Sequence, residues 1–458
     1  MDRKAMGYVV GMKVRFLALA DRVRASLFVL PTVCVLAAAG LALGSIHLDR
    51  RLGDESARLP LGFSSTVDSA RAVLSTVAGA TITVAGIAFS IALLVIQLAS
   101  SQYSPRVVHG LFRDPFNKRV MGVVVGTFAY CLVVLRAVRS ALEEGGDPVV
   151  PNVSVAIAVL LGLASILAIV GFINHNAHTM DVSEILERVT ADTVDRLCET
   201  WPDEATPDAT GAPPVPPPGR ARFTIEASDR GWVQYIEHGR LLEALPADGT
   251  LQLETGIGRY VIAGAPLATA WLAEPPSDEL TDAVRDAVRL GRTRTMAQDP
   301  AYGVRQLVDV ALRALSPGVN DPTTAQDAIV HLGGVLAEAY VREAPPKWRS
   351  GPEGRIVLEP HAPDHRSLTE LALAELRRAA RHDPAVVDTI FATIGAVAHV
   401  ADTHEHAAAT ELRLQARATL EAALGGDLLG VDRQAIIDAY ERHIGSASVA
   451  PPNIAASR

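Results

Sequence analysis

Thirty-four consecutive residues, from Ala72 to Pro105, include no Asp, Glu, Lys or Arg. As one α-helix, with about 1.5 Å of rise per residue, this run would be about 50 Å long. The hydrocarbon layer of a bilayer is only about 30 Å thick. The run therefore predicts a membrane helix that either tilts strongly or projects beyond the bilayer.

One side of this predicted helix is small and polar, while the rest is Leu, Ile, Val, Ala and Phe. At about 100° per residue, eight positions separated by three, four or seven fall within about 80° of the circumference. We call these eight residues the polar stripe: Thr76, Gly79, Thr83, Gly86, Ser90, Gln97, Ser101 and Ser104. Such a side is expected to face another helix or water, and not lipid.

Two interpretations of the polar stripe stay open. Small residues allow helix backbones to approach closely, so the stripe is typical of a helix-packing surface. Alternatively, the hydroxyl groups and Gln97 line a pore, in which Leu93 and Leu94 form a hydrophobic constriction. The two interpretations overlap if the stripe is the contact between subunits of an oligomer.

Four apolar segments predict four membrane spans, at about 27–46, 72–101, 120–135 and 149–173. We expect the first to be an uncleaved span, because its apolar run is long and lacks a convincing signal-peptidase site. No acidic or basic residue lies within the predicted spans, which argues against a proton-coupled transporter or a voltage sensor. Asp49 is assigned to the loop after the first span.

Lys and Arg are concentrated in two of the segments between or before the spans. These are the N-terminal segment and the loop between the second and third spans, whereas the other two loops have balanced charges. Since positive charge favours the cytoplasmic side, the pattern predicts a multi-pass protein of the bacterial inner membrane with both termini in the cytoplasm.

The remainder of the chain predicts a cytoplasmic region, so the fold class is mainly α with a small β module. Residues 181–221 are expected to form a juxtamembrane helix and a Pro-rich linker, and residues 446–458 a disordered tail. Between them we predict a β-barrel or sandwich module at 222–275 and a helical domain at 276–445. The transmembrane domain occupies residues 1–180.

Local patterns place the elements of the cytoplasmic region. RFTIEA, GWVQYI, GTLQLETG, RYVIAG and PLATAWL are short, β-branched or aromatic segments separated by turn residues, which predicts five strands. Asp299-Pro300 and Asp321-Pro322 are typical of helix starts. Further helices are predicted at 367–382, 384–402, 405–424 and 432–444.

Three polar clusters are candidate sites, each with a structural alternative. Arg292, Arg294, Arg305 and Arg313 flank two helix N-termini that could bind a small anion. The alternative is a helical corner in which Asp299 and Asp321 cap those N-termini and pair with arginine. Asn174, His175, Asn176 and His178 follow the fourth span, as a polar gate, a metal site or a pH sensor, or else as ordinary interfacial anchors.

His399, Asp402, His404 and His406 are the densest group of metal-ligand residue types. Their spacing does not suit a zinc site, so solvated residues at a helix end are the favoured interpretation. We predict no catalytic residue, no metal site and no cofactor. There is no GxxxxGK[ST] motif, and a net charge of −9 gives no support for nucleic-acid binding.

Several long motifs resemble one bacterial family. They are SIALLVIQLASSQYSPR at 90–106, GTFAYCLVVLRAVR at 126–139, GRTRTMAQDPAYGVRQLVDVALRALSPGVNDPTTA at 291–325, and GWVQYI at 231–236. Over roughly residues 15 to 425 the chain resembles the "predicted membrane protein" family known as domain of unknown function 2254. The resemblance implies four N-terminal spans and a cytoplasmic C-terminal region, but no activity.

Two function classes follow. The first is a homo-oligomeric channel or ion-conducting protein with a cytoplasmic gating region. The second is a membrane-anchored sensor or scaffold whose cytoplasmic domain binds a ligand or a protein partner. A membrane enzyme is a distant third. The sequence does not specify the ion, the ligand or the stoichiometry.

Overall fold

The computed structural model describes residues 29–52, 66–102, 115–138, 151–179, 181–204, 214–215, 218–404, 408–426 and 428–445. The predicted tail, His406, Ser104 and most of the Pro-rich linker lie outside the described residues. The chain divides into two compact units, Met1–Asp181 and Val182–Arg458.

Among its described residues, the first unit contains four long helices, which are α1 (Val29–Leu52), α2 (Val67–Gln102), α3 (Pro115–Ala137) and α4 (Asn152–Thr179). Helix α2 is continuous over 36 residues, about 54 Å at 1.5 Å per residue. Its length agrees with the prediction from the uncharged run. Helix α1 continues six residues beyond the predicted end of the first span, so Asp49 lies in a helix, and its assignment to a loop is wrong.

Helix α3 makes the most extensive contacts of this unit, because it packs closely against each of the other three helices, above all against α1. Two glycines permit the closest of these contacts. A methyl group added at Gly122 would overlap the Cys34 side chain of α1, and one at Gly126 would press on the Cys34 carbonyl group. Farther along α3, Tyr130 and Cys131 are completely buried. Small residues thus bring α1 and α3 together, as is usual for helices that must associate in lipid.

Five helices in the described residues are long and apolar enough to cross a membrane, namely α1 to α4 and a helix at Pro384–Thr403. The fifth belongs to the second unit, where it packs against four neighbouring helices. Its large apolar side chains, including Ile390, Phe391 and Ile394, are buried there. A core position within a helical domain accounts for its apolar composition.

The second unit contains eight strands in the described residues. All five predicted strands are present, as β1 (Ala221–Glu226), β2 (Gly231–Ile236), β3 (Thr250–Leu253), β4 (Tyr260–Val261) and β5 (Pro266–Leu272). Three more are β6 (Val288–Gly291), β7 (Trp348–Ser350) and β8 (Ile356–Leu358). The last three lie beyond the predicted range 222–275, so the sheets also draw on the region predicted to be helical.

The strands form two sheets, with the orders β1-β5-β3-β8-β7 and β4-β2-β6. Neighbouring strands are antiparallel except for the parallel pair β3 and β8. Apolar side chains from both sheets share one core with helices α6 (His238–Ala244) and α7 (Asp278–Ala287). Two sheets over one core resemble a sandwich, and a closed barrel is not confirmed.

The predicted helices of the second unit begin within two residues of their predicted starts, except for the one predicted at 405–424, which begins at Ala409. After α5 (Val182–Thr200) and the β region come α8 (Pro300–Ala314), α9 (Pro322–Tyr340), α10 (His365–Ala380), α11 (Pro384–Thr403), α12 (Ala409–Leu424) and α13 (Gly430–Ile444). Three of these starts have a side-chain cap. Asp321, Asp364 and Asp383 each accept a hydrogen bond from a backbone N–H of the first turn, which satisfies a group with no partner inside the helix.

Helix α5 is part of the core of the second unit. It packs against α8 and α9, with Ile185, Leu186 and Leu197 buried. The closest approach is between Thr193 of α5 and Gly303 of α8, where an added methyl group would overlap the threonine side chain, including its Cβ atom. Rotation of Thr193 cannot relieve that overlap, so glycine is needed at position 303.

We predict opposite effects for the same change at two helical glycines. Gly303→Ala should lower the free energy of unfolding by about 1–3 kcal/mol, because overpacking costs more than the helix propensity gains. Gly334→Ala in α9 should raise it by about 0.5–1 kcal/mol, since a methyl group there has no neighbour within 4 Å. Thermal unfolding of the detergent-solubilised chain measures both, and a stabilised Gly303→Ala would contradict the close packing of α5 and α8.

Candidate functional site

The polar stripe lies on the outside of the first unit. Every stripe residue whose side chain is described is exposed: Thr76, Gly79, Thr83, Gly86, Ser90 and Gln97. The buried residues of α2 lie on the other side: Ala70, Leu74, Ala78, Thr81, Ala85 and Ala88. At about 100° per residue the two sets are centred about 160° apart on the helix. No helix among the described residues covers the stripe, so packing within the chain does not account for it.

The space beside the two glycines of the stripe is open. A methyl group added at Gly79 or Gly86 would meet nothing within 4 Å. The Thr83 hydroxyl donates to the Gly79 carbonyl at 2.8 Å, and the Ser90 hydroxyl donates to the Gly86 carbonyl at 2.9 Å. Each hydroxyl proton is therefore satisfied within the helix, while the oxygen can still accept a hydrogen bond from outside. This surface can meet either a second helix or water.

Two leucines interrupt the stripe toward its C-terminal part. Leu93 and Leu94 are 52% and 54% exposed, so both lie at the surface beside the polar residues, as the predicted constriction requires. Gln97 follows one turn later and is also exposed. The side chain of Ser101 is not among those described.

The polar residues at the end of α4 are only partly described. Asn174 is exposed, and the His175 ring contacts the Phe116 ring of α3 with centroids 4.7 Å apart. The side chains of Asn176 and His178 lie outside the described set. A histidine held against an aromatic ring agrees with an interfacial anchor, and the gate stays a prediction.

The predicted cap at Asp299 is wrong. Its side chain makes no cap to α8, because both carboxylate oxygens accept from Arg294, at 2.7 and 3.2 Å. The same guanidinium lies 5.2 Å from the centroid of the Tyr302 ring. Asp299 is almost fully buried, and a buried carboxylate is stabilised more by a paired guanidinium than by single N–H groups.

Two of the other arginines of this cluster already have partners. Arg305 donates to Asp309 and to both oxygens of Glu375, and the Glu375 carboxylate is the main cause that raises the pKa of Arg305. Asp321 behaves as predicted, since bonds from the Thr324 hydroxyl and backbone N–H lower its pKa. Arg313 also has a partner, and Arg292 is exposed. A common anion site for the four arginines stays a prediction.

The histidine-rich helix end is solvent-accessible. His399, Asp402 and His404 are all exposed, and the Asp402 carboxylate accepts a hydrogen bond from Arg413. Throughout the described part of the chain, no three His, Cys, Asp or Glu side chains gather in a way that would hold a metal ion.

A buried polar cluster around Asp49 has no counterpart among the sequence-based predictions. One carboxylate oxygen accepts from the Val153 N–H at 2.9 Å, and the other from the Ser154 N–H at 3.0 Å and hydroxyl at 2.6 Å. The Tyr130 hydroxyl donates to the Ser154 carbonyl and lies 2.9 Å from the Ser45 hydroxyl. Asp49 of α1 therefore caps the N-terminus of α4, and charge counting in the neighbouring sequence could not reveal this.

We predict that Asp49→Ala lowers the stability of the first unit by about 3 kcal/mol, because it leaves two backbone N–H groups of α4 without their charged acceptor. Arg50→Ala is the matched control, as Arg50 is exposed on the same helix turn. The midpoint of thermal unfolding in detergent should fall for the first variant only. Equal midpoints for both would show that the cap contributes little.

Comparisons with known proteins agree with this architecture. The family model "Predicted membrane protein (DUF2254)" matches residues 24–396. The uncharacterized proteins Rv1290c of Mycobacterium tuberculosis and Mb1321c of Mycobacterium bovis are each 31% identical over 409 residues, covering 88% of this chain and 77% of the relative. No solved structure is significantly similar. The chain therefore belongs to the DUF2254 family of predicted membrane proteins.

Proposed function

We propose that this protein is a homo-oligomeric, ion-conducting membrane protein in which α2 helices from several copies face one another along a central axis. The single observation that carries the proposal is the exposed polar stripe. A membrane helix turns its small polar side away from its own bundle, although lipid is the poorest environment for that side. A second copy of the same stripe provides a better one.

The spacing of the stripe suits contact between parallel copies. Thr76, Thr83, Ser90 and Gln97 are seven residues apart, and Gly79 and Gly86 each follow one of them by three. A repeat of seven, occupied at positions separated by three and four, keeps one seam facing a neighbour in a left-handed supercoil. Glycine at alternate levels allows the backbones to approach closely.

The same seam has the properties of a conduction pathway. In a ring of copies, hydroxyl oxygens and Gln97 would provide acceptors for water and ions, while Leu93 and Leu94 would form a ring without hydrogen-bonding groups. A narrow apolar ring of this kind closes a pore by dewetting. Water would then be held by the polar stripe residues on the N-terminal side of the leucine ring and by Gln97 on its C-terminal side.

The proposed topology has four spans, α1 to α4, in the inner membrane, with both chain ends in the cytoplasm. The excess of Lys and Arg before α1 and between α2 and α3 supports this orientation. Helix α11 is placed outside the membrane, since its apolar side chains are buried within the second unit.

A membrane-anchored sensor or scaffold is the second candidate, and the packing of α5 favours it. Only residues 180 and 181 separate the end of α4 from α5, which is built into the helical core of the second unit. A ligand or protein that binds this unit would therefore act on an element joined directly to a membrane helix. In this alternative the stripe serves only to hold the copies together.

The oligomer is tested by filling the seam. Gly86→Ile should raise the dissociation constant between subunits at least about tenfold, because about 1.4 kcal/mol of lost packing has this effect. Ala80→Ile adds a similar bulk on the same helix, about 90° from the centre of the stripe, and should leave association unchanged. Native mass spectrometry of the solubilised protein reports the subunit number. A Gly86→Ile oligomer as stable as the wild type would exclude the seam as the contact.

Conduction is tested at the leucine ring. Leu94→Ser should increase ion flux in proteoliposomes about tenfold or more, since a hydroxyl lowers the barrier to wetting. Leu167→Ser in α4 introduces the same change at a side chain that is 73% exposed and should not alter flux. Zero flux for both variants in an intact oligomer would reject the channel and favour the scaffold.

A further inference from the structure

The outer face of the three-stranded sheet carries exposed apolar side chains. Trp232 of β2 stands opposite Tyr260 of β4 in the antiparallel register, and their rings meet edge to face with centroids 5.5 Å apart. Tyr260 is 50% exposed and Ile262, two residues later, is 66% exposed. The alternate residue Val261 points into the core, so Trp232, Tyr260 and Ile262 share the outer face.

Three arginines border this apolar face. Gly231 of β2 pairs with Val261 of β4. Extending this antiparallel register by one residue places Arg230 opposite Ile262. Arg259 precedes Tyr260, and Arg292 follows Gly291, the residue of β6 opposite Trp232, so both lie one residue away from the outward-facing positions, and both are exposed. We call the six residues the sheet face: Arg230, Trp232, Arg259, Tyr260, Ile262 and Arg292.

The sheet-face arginines are exposed, and none forms an ion pair with a carboxylate of the described residues. Their neighbours differ in this respect, because Arg289 pairs with Glu237 and Arg294 with Asp299. Asp229 is the adjacent carboxylate in sequence, and it accepts from the backbone N–H of Arg230. The sheet face therefore combines a net positive charge with aromatic and aliphatic surface.

We propose that the sheet face docks on the surface of an anionic lipid bilayer. Trp and Tyr rings prefer the level of the lipid headgroups, an exposed isoleucine can enter the acyl boundary, and arginine forms paired hydrogen bonds with phosphate. The chain belongs to a family of membrane proteins, so a bilayer is present at high effective concentration wherever the second unit lies.

The charge of the sheet face argues against the other occupants. In a twofold contact with a second copy, the three arginines of one face would meet the three of the other, and like charges in a contact are unfavourable. Single-stranded nucleic acid would use aromatic rings for stacking, but Ile262, the most exposed apolar residue of the face, has no ring. A bilayer satisfies the aromatic, aliphatic and basic groups together.

The test uses the full chain, with Cys34, Cys131 and Cys198 replaced by alanine and Ile262→Cys labelled with the fluorophore NBD. The protein is reconstituted into phosphatidylcholine liposomes with and without phosphatidylglycerol. We expect the NBD emission to be blue-shifted only when phosphatidylglycerol is present. In that mixture, lipids that are spin-labelled at the headgroup should quench it. Salt at 1 M, where the Debye length is about 3 Å, should reverse it. Leu429→Cys is the control label, at a leucine that is 72% exposed.

Charge variants then identify the contact. Replacing Arg230, Arg259 and Arg292 by glutamine should lower the docking equilibrium about a hundredfold, because each basic residue near an anionic surface contributes about a fivefold factor. The same change at Arg366, Arg413 and Arg417 removes equal charge from other exposed positions and should have little effect.

The docking result does not depend on conduction, since it is read from the label and not from flux. Emission from position 262 that matches the Leu429 control in both lipid mixtures would overturn the proposal. So would efficient disulfide formation between unlabelled Ile262→Cys side chains of two copies, because a second copy would then cover the sheet face.

Discussion

The packing of α1, α2 and α4 around α3 is the constraint on which the first unit depends. In lipid, apolar side chains gain little from meeting one another, so close contact has to come from small residues and from polar groups that find partners. Gly122 and Gly126 provide the small residues, and Tyr130 provides a polar group with a partner. Because α3 and α4 pack on one side of α2, the opposite side of that helix is left exposed. The position of the polar stripe is thus a consequence of these contacts.

The periodic parts of the sequence predict the fold well. Three of its patterns are local in sequence: the uncharged run, the segments rich in β-branched residues, and the Asp-Pro pairs at helix starts. Each predicts an element that is present in the structure. Strands β6, β7 and β8 were not predicted, because they have only three or four residues and gain their stability from partners far away in the chain. Their pairing is a tertiary effect that a local pattern cannot contain.

The candidate sites were harder to predict, for reasons that particular side chains illustrate. The Asp299-Pro300 pair correctly marks the start of α8, yet the Asp299 carboxylate accepts a hydrogen bond from Arg294, five residues earlier, and does not cap the helix. Asp49 looked like a loop residue beside Arg50 and Arg51, and its partner is the N-terminus of a helix about a hundred residues later. The sequence predicts which residues share the stripe side of α2, whereas their exposure depends on which side of α2 the bundle occupies. Side-chain partners follow from the three-dimensional arrangement, and residue types alone do not determine them.

The cap that Asp49 provides has a consequence for biosynthesis. Helix α4 receives the acceptor for its first N–H groups from α1, which leaves the ribosome about a hundred residues earlier. The contact between α1 and α4 can therefore form only after the whole of the first unit has been synthesised. Until α4 is made, the Asp49 carboxylate lacks these donors and needs water or another partner, since an unpaired buried charge is costly. The order of synthesis and the order of final contacts are therefore linked through a single side chain.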